Sequence, residues 1–242
     1  MKPAPVDIAY LYDAFCEYAE PVTAAWEASG ADTDEDPQRL IDAMSQLAGV
    51  LRSLENDPRA LSESSSQDIH TLGEYGLRLL SDLSGIAEQL GVEHSARGLE
   101  NLCLPLAVWT ARHGGDIRLL EPVVSALAYF ANNSQEPEFM AELLGLTNEI
   151  FDAVAPSASE DARHARHPWR LLILNRAIVA TRTLQPALME PTYDSVVELL
   201  PEEANRFFSE GMEQIESLEL PMNVREMISR YYQAFGAPRI LH

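Results

Sequence analysis

The residues with the greatest capacity for chemistry stand together in DARHARHPWRLLILNR, positions 161–176. Glu160, His164 and His167 are spaced i, i+4, i+7. On one helix they would place two imidazoles and a carboxylate on a single face, a set that suits zinc. Arg163 and Arg166 beside them repel a dication, and Pro168 interrupts the helix that the set requires. Arg163, Arg166 and Arg170 are spaced i, i+3, i+7 and fall within about 60° of one another at ~100° per residue. Three guanidiniums on one stripe suit a phosphate or a carboxylate-rich peptide. The free N–H groups of a helix opening at Pro168 would favour the same anion. A third reading is internal: the arginines pair with Asp and Glu of neighbouring helices. A fourth is pH sensing by His164 and His167.

Residues 169–179 then form a run that is apolar nearly all round, which predicts a helix central in the fold. Asn175 and Arg176 are its polar exceptions. A buried Arg must be paired, so Arg176 either finds partners inside or lines a groove. Together Arg163, Arg166, His167, Arg170, Asn175 and Arg176 form the candidate contact set for an anionic partner. The alternative is that carboxylates of the same chain already occupy these arginines.

Elsewhere the signatures of catalysis are missing from the sequence. It has no Gly-rich phosphate loop, H-E-x-x-H, C-x-x-C or G-x-S-x-G. Cys16 and Cys103 both lie within apolar helical patterns and read as buried structural thiols. Glu142, Glu149, Glu202, Glu203, Glu213 and Glu216 fall on expected solvent sides. No Glu-x-x-His pair repeats on two helices, as a helical di-metal site would need. Neither a metal nor a cofactor is expected. Tyr10, Tyr12 and Tyr18 lie partly off the apolar stripe of the first helix, where packing or a partner would hold them.

Charge narrows the partner classes. The 242 residues carry 38 Asp plus Glu against 17 Lys plus Arg, a formal net charge of -21. That surplus opposes nucleic acid and anionic membrane surfaces and permits a basic partner. Lys2 is the only lysine, and arginine's rigid fork suits fixed carboxylate pairing. MKPAPVDIAY has no apolar h-region, and no run reaches the ~18–20 apolar residues of a membrane span. With two cysteines, a reducing, cytoplasmic setting is expected.

The elements that must position these residues follow a 3.6-residue period nearly throughout. Ile8, Tyr12, Phe15, Ala19, Val22 and Trp26 mark a first helix, with Pro21 expected to kink it. Asp36 and Pro37 open a second, and residues 55–66 read as a loop. Ser66 caps a long third helix that Gly91 ends. Further helices are expected at about 93–113, 117–131 and from Pro137. In the last third, Pro168, Pro186, Pro201 and Pro221 each introduce another. The fold class is all-α, about ten helices as stacked antiparallel hairpins. Residues 1–242 read as a single helical domain, divisible into a bundle over 1–113 and a hairpin array over 116–242.

The starts at Pro168 and Pro201 are 33 residues apart, close to the ~34-residue period of tetratricopeptide repeats. Trp169 and Leu172 fit the opening of that repeat, whereas Ile173 and Arg176 replace its Gly and Tyr. Residues 168–235 thus resemble tetratricopeptide-like arrays, which implies stacked hairpins and a groove for a protein or peptide. The leading expectation is a non-enzymatic interaction, scaffold or adaptor protein using the Arg-rich segment. A second is an acidic inhibitor or immunity-type protein whose carboxylates contact a basic partner. A third is an enzyme with a metal or small-molecule pocket between helices.

Overall fold

A computed structural model describes residues 5–30, 36–159, 167–217 and 220–236. The fold is all-α. Among the described residues the only β-type pairing is an isolated bridge between Ile117 and Val154. The chain divides into two compact units. Unit 1 comprises residues 1–130 with 149–160, and unit 2 comprises 131–148 with 161–242.

Unit 1 begins with α1 (Ile8–Ser29), capped by Asp7, whose carboxylate accepts the Tyr10 N–H at 2.8 Å. It runs on through Pro21 as one helix. Then follow α2 (Pro37–Asn56), α3 (Pro58–Glu63), α4 (Ser66–Gln89), α5 (Glu93–Asn101) and α6 (Cys103–Arg112). Asp36 and Pro37 start α2 as expected. Residues 58–63 are helical where a loop was expected, because Asp57 and Pro58 repeat the same cap-and-proline signal. The N-cap of α4 is Ser65 rather than Ser66, and it closes a capping box with Asp68.

The single helix expected over 93–113 is two. Pro105 has no N–H to offer a continuing helix, so the chain breaks at Leu102 and Pro105 sits in the first turn of α6. Residues 103–110 of α6 are all buried. α4 packs against α2, α5 and α6, and α1 packs against α2 and α5. Two glycines of α4 allow the close approach. A Cβ on Gly73 would stand 2.3 Å from Thr110 Oγ1, and one on Gly76 would stand 2.7 Å from Leu106 Cδ2. Trp109, fully buried on α6, donates its Nε1–H to Glu55 of α2 at 2.8 Å.

α7 (Glu121–Asn133) and α8 (Pro137–Asp152) carry the division between the units within their own length. α7 starts at Glu121 and not at 117, since the Ile117 N–H and C=O bond to Ala153 O (2.8 Å) and from Ala155 N–H (3.0 Å). In unit 2, α9 (Pro168–Arg182), α10 (Pro186–Leu199), α11 (Pro201–Ser217) and α12 (Met222–Tyr231) begin where the prolines indicated. A π-turn, Tyr232–Gly236, follows α12. α9 packs on α10, and α10 on α11 and α12. Tyr193, Phe208 and Tyr231 join them at ring centroid separations of 5.1–5.2 Å. Phe235, in the π-turn, is 42% exposed, with its ring 6.3 Å from that of Phe208 and 6.1 Å from that of Tyr231.

Glycine substitutions separate packing from propensity. Gly49 lies mid-helix in α2 with open space at its Cβ position. Gly49→Ala should stabilise the chain by about 0.5–1 kcal/mol. Gly73→Ala should destabilise it by about 1–3 kcal/mol through overpacking against Thr110. Urea or thermal denaturation of the full chain measures both, and equal shifts for the two would contradict the close α4–α6 approach.

Candidate functional site

His167 is the N-cap of α9, in the extended conformation imposed by the following proline (ψ 131°). Its Nδ1 accepts the Trp169 N–H at 3.3 Å. The helix starts at Pro168, so His167 itself lies outside α9. Glu160, His164, Arg163 and Arg166 lie outside the described residues. Among the described residues no group of three or more His, Cys, Asp and Glu could hold a metal ion.

α9 has no fully exposed residue. It carries three arginines and no carboxylate, and each arginine reaches a different neighbour. Arg170 is 5% exposed and donates to Glu202 Oε1 and to Glu203 Oε1 (2.7 Å), both at the start of α11. Arg206 holds the other oxygen of Glu203 at 3.0 Å. Arg176, also buried, donates from Nε to Asn148 Oδ1 of α8 at 2.6 Å and from Nη1 to Ser195 Oγ of α10 at 3.1 Å. Arg182 donates to the Ala131 carbonyl and to Asn132 Oδ1 (3.4 Å), at the C-terminal end of α7. A cation at that helix end also meets the negative pole of the helix. Asn175 is half-buried beside this set.

The electrostatics follow from these bonds. Burial works against the charge of Arg170, yet the bonds from Glu203 and Glu202 raise its pKa further above the ordinary value. The Glu202 carboxyl is held below its usual range, first by a backbone N–H at the helix start and then by Arg170. Glu149 is lowered likewise by its bond from Arg112, Nε to Oε2 at 2.6 Å. Glu203 is buried rather than solvated, because the Arg170 guanidinium draws it inward, and Glu149 is half-buried. Glu142, Glu202 and Glu213 are exposed as expected, and the Glu216 side chain lies outside the described ones. Cys103 is buried and its thiol is pushed up by burial and by Glu100. Cys16 is exposed instead, one residue and about 100° around α1 from the buried Phe15.

That rotation leads to a surface not singled out beforehand. α1 buries Ile8, Leu11, Phe15, Ala19 and Val22 and contains no basic residue. Its outer side carries Asp13, Glu17, Glu20 and Glu27, all exposed. With Tyr10, 48% exposed, they fall within about 100° of one another around the helix. None of the four carboxylates forms an ion pair among the described residues. Tyr18 borders them, its hydroxyl pKa raised by burial and then by Glu17. Tyr12 is covered by Arg52, whose guanidinium carbon stands 5.0 Å from the ring centroid. The sequence signal for this face was present in the spacing of the four acids, but solvated acids are so common that spacing alone does not single them out.

No protein-family model, curated protein or solved structure matches this chain. No helix among the described residues is long and apolar enough to cross a membrane.

Glu202 and Glu149 titrate lower in the folded chain than when unfolded. Their stabilisation is therefore complete above the unfolded carboxylate value of ~4.3 and is lost as pH falls through the folded values. Arg170→Met should lower stability at pH 7 by on the order of 3 kcal/mol, since it strips a cation from the buried Glu203. It should also make the acid-side decline shallower. Urea denaturation between pH 3 and pH 7 checks both, and an unchanged midpoint at pH 7 would refute the structural role of the pair.

Proposed function

We propose that this chain is a protein-interaction protein, a scaffold or adaptor in the cytoplasm, that presents the outer face of α1 to a basic segment of a protein partner. One observation carries this reading: Asp13, Glu17, Glu20 and Glu27 line one exposed stripe and form no ion pair among the described residues. Many arginines are engaged elsewhere, as in Arg78–Glu74, Arg97–Glu100, Arg112–Glu149, Arg170–Glu203 and Arg230–Glu190. Such a face steers a cationic partner and fixes its orientation through electrostatic complementarity. Tyr10 adds an aromatic anchor of the kind enriched at interfaces. An anionic partner at residues 163–176 is supported less, because Arg170 and Arg176 would have to release acceptors of their own chain.

The test compares two fourfold neutralisations with the same effect on net charge. Asp13→Asn with Glu17→Gln, Glu20→Gln and Glu27→Gln should reduce capture of the basic partner from the source cell at least about tenfold. Glu121→Gln, Glu136→Gln, Glu138→Gln and Glu142→Gln, all at exposed positions, should change it less than about twofold. Raising salt from 0.05 to 0.5 M should weaken the wild-type complex, as exposed charges are screened within ~10 Å or less. Equal losses in both variants would reduce the effect to net charge and overturn the assignment to α1.

A further inference from the structure

His70, on α4, is buried with an oxygen facing each of its ring nitrogens. Its Nδ1 lies 2.8 Å from the carbonyl oxygen of Asp116, and its Nε2 lies 3.2 Å from Glu74 Oε2. The other oxygen of Glu74 takes the Arg78 guanidinium at 2.5 Å. A carbonyl and an ionised carboxylate only accept hydrogen bonds, so both ring nitrogens must carry hydrogen to be attracted to them. A neutral imidazole has one N–H and turns a lone pair toward one of the two oxygens.

The Asp116 contact is one of several that seat residues 114–117 on α4. Ser66 Oγ donates to the Gly114 carbonyl at 2.6 Å. Gly115 lies so close that a Cβ there would stand 2.8 Å from Ile69 Cγ2 and 2.9 Å from the His70 backbone nitrogen. Ile117 then bonds to Ala153 and Ala155, just after α8. Other charged groups on the elements packed here have partners of their own. Asp68 bonds to Ser65 at the start of α4, Arg52 of α2 covers Tyr12, and Glu55 of α2 accepts from Trp109. Arg112 of α6 binds Glu149, and His113 Nδ1 is turned to the Trp109 carbonyl. α5 is bonded to the far end of α4, where Ser84 donates to Ala96. Asp116, Arg118 and Asp152 are exposed and form no ion pair among the described residues.

We propose that His70 is a proton-operated latch, an imidazolium that clamps residues 114–117 to α4 in mild acid and loosens them when its proton leaves. Imidazole is the side chain that changes charge between about pH 5 and 8. Proton loss weakens both contacts: the bond to Asp116 loses its charge assistance, and Nε2 meets Glu74 lone pair to lone pair. The charged ring is the better partner for both oxygens, so the latch is complete at the acid end of that window and is lost as pH rises through it. The acidic face of α1 takes no part in it, and the two proposals fail independently.

Ring nitrogen NMR and amide exchange of the full chain at pH 5 and pH 8 test the latch. At pH 5 both His70 nitrogens should carry hydrogen. Protection of the Ile117 and Ala155 amides, corrected for intrinsic exchange, should fall at least about fivefold by pH 8, as a charge-assisted bond becomes a neutral one. In Glu74→Gln the amide oxygen still accepts from Arg78 and the new N–H donates to a bare Nε2, so the neutral ring is satisfied. Protection in that variant should change less than about twofold over the same range. The wild-type series needs no substitution, so a poorly folded variant leaves the test intact. A His70 ring with a bare nitrogen at pH 5 would overturn the proposal. So would equal wild-type protection at the two pH values, or the same fall in a folded Glu74→Gln chain.

Discussion

A guanidinium taken out of water must be met by acceptors, and Arg170 imposes that constraint on unit 2. Glu202 and Glu203 meet it from the first turn of α11, and Glu203 is itself drawn into the interior. Removing Arg170 would leave the buried Glu203 with Arg206 alone, and removing Glu203 would leave the buried Arg170 with the exposed Glu202 alone. Arg176 and Arg182 extend the same logic, to Asn148 and Ser195 and to the end of α7. An otherwise apolar helix could slide or rotate among its neighbours at little cost. Three arginines with fixed acceptors give α9 one register against each of them. The 33-residue interval between Pro168 and Pro201 recurs between Arg170 and Glu203, so both the helix starts and the ion pair sit at equivalent positions.

That arrangement explains what was legible in the sequence. Prolines at 37, 137, 168, 186 and 201 mark helix starts because their missing N–H is harmless only there. The centrality of α9 follows from its lack of a polar face. Pro105 was harder to interpret, since a proline inside an apolar run fits a kink or a new start equally well until the packing is known. Residues 58–63 were read as part of a loop over 55–66, and the cap-and-proline signal of Asp57 and Pro58 prevailed. Residue types could not settle the direction of the arginines. An Arg at helical spacing looks alike whether it faces a groove or a carboxylate 33 residues away, and long-range partners are fixed by tertiary packing alone.

Charge distribution then links architecture to function. Arginine is the chain's main cation, and many of its guanidiniums are committed to intrachain partners that hold helices together. The surplus negative charge is left at the surface, and on α1 it is ordered into a stripe rather than scattered. α12 differs in kind, with Met222 largely exposed and Arg225 in no ion pair among the described residues.

Carboxyl footprinting of the full chain, alone and with its captured basic partner, tests the central claim most directly. The account predicts that Asp13, Glu17, Glu20 and Glu27 label readily in the free chain and are protected in the complex, while Glu203 stays unlabelled in both. Equal labelling of the four α1 carboxylates with and without the partner would contradict it.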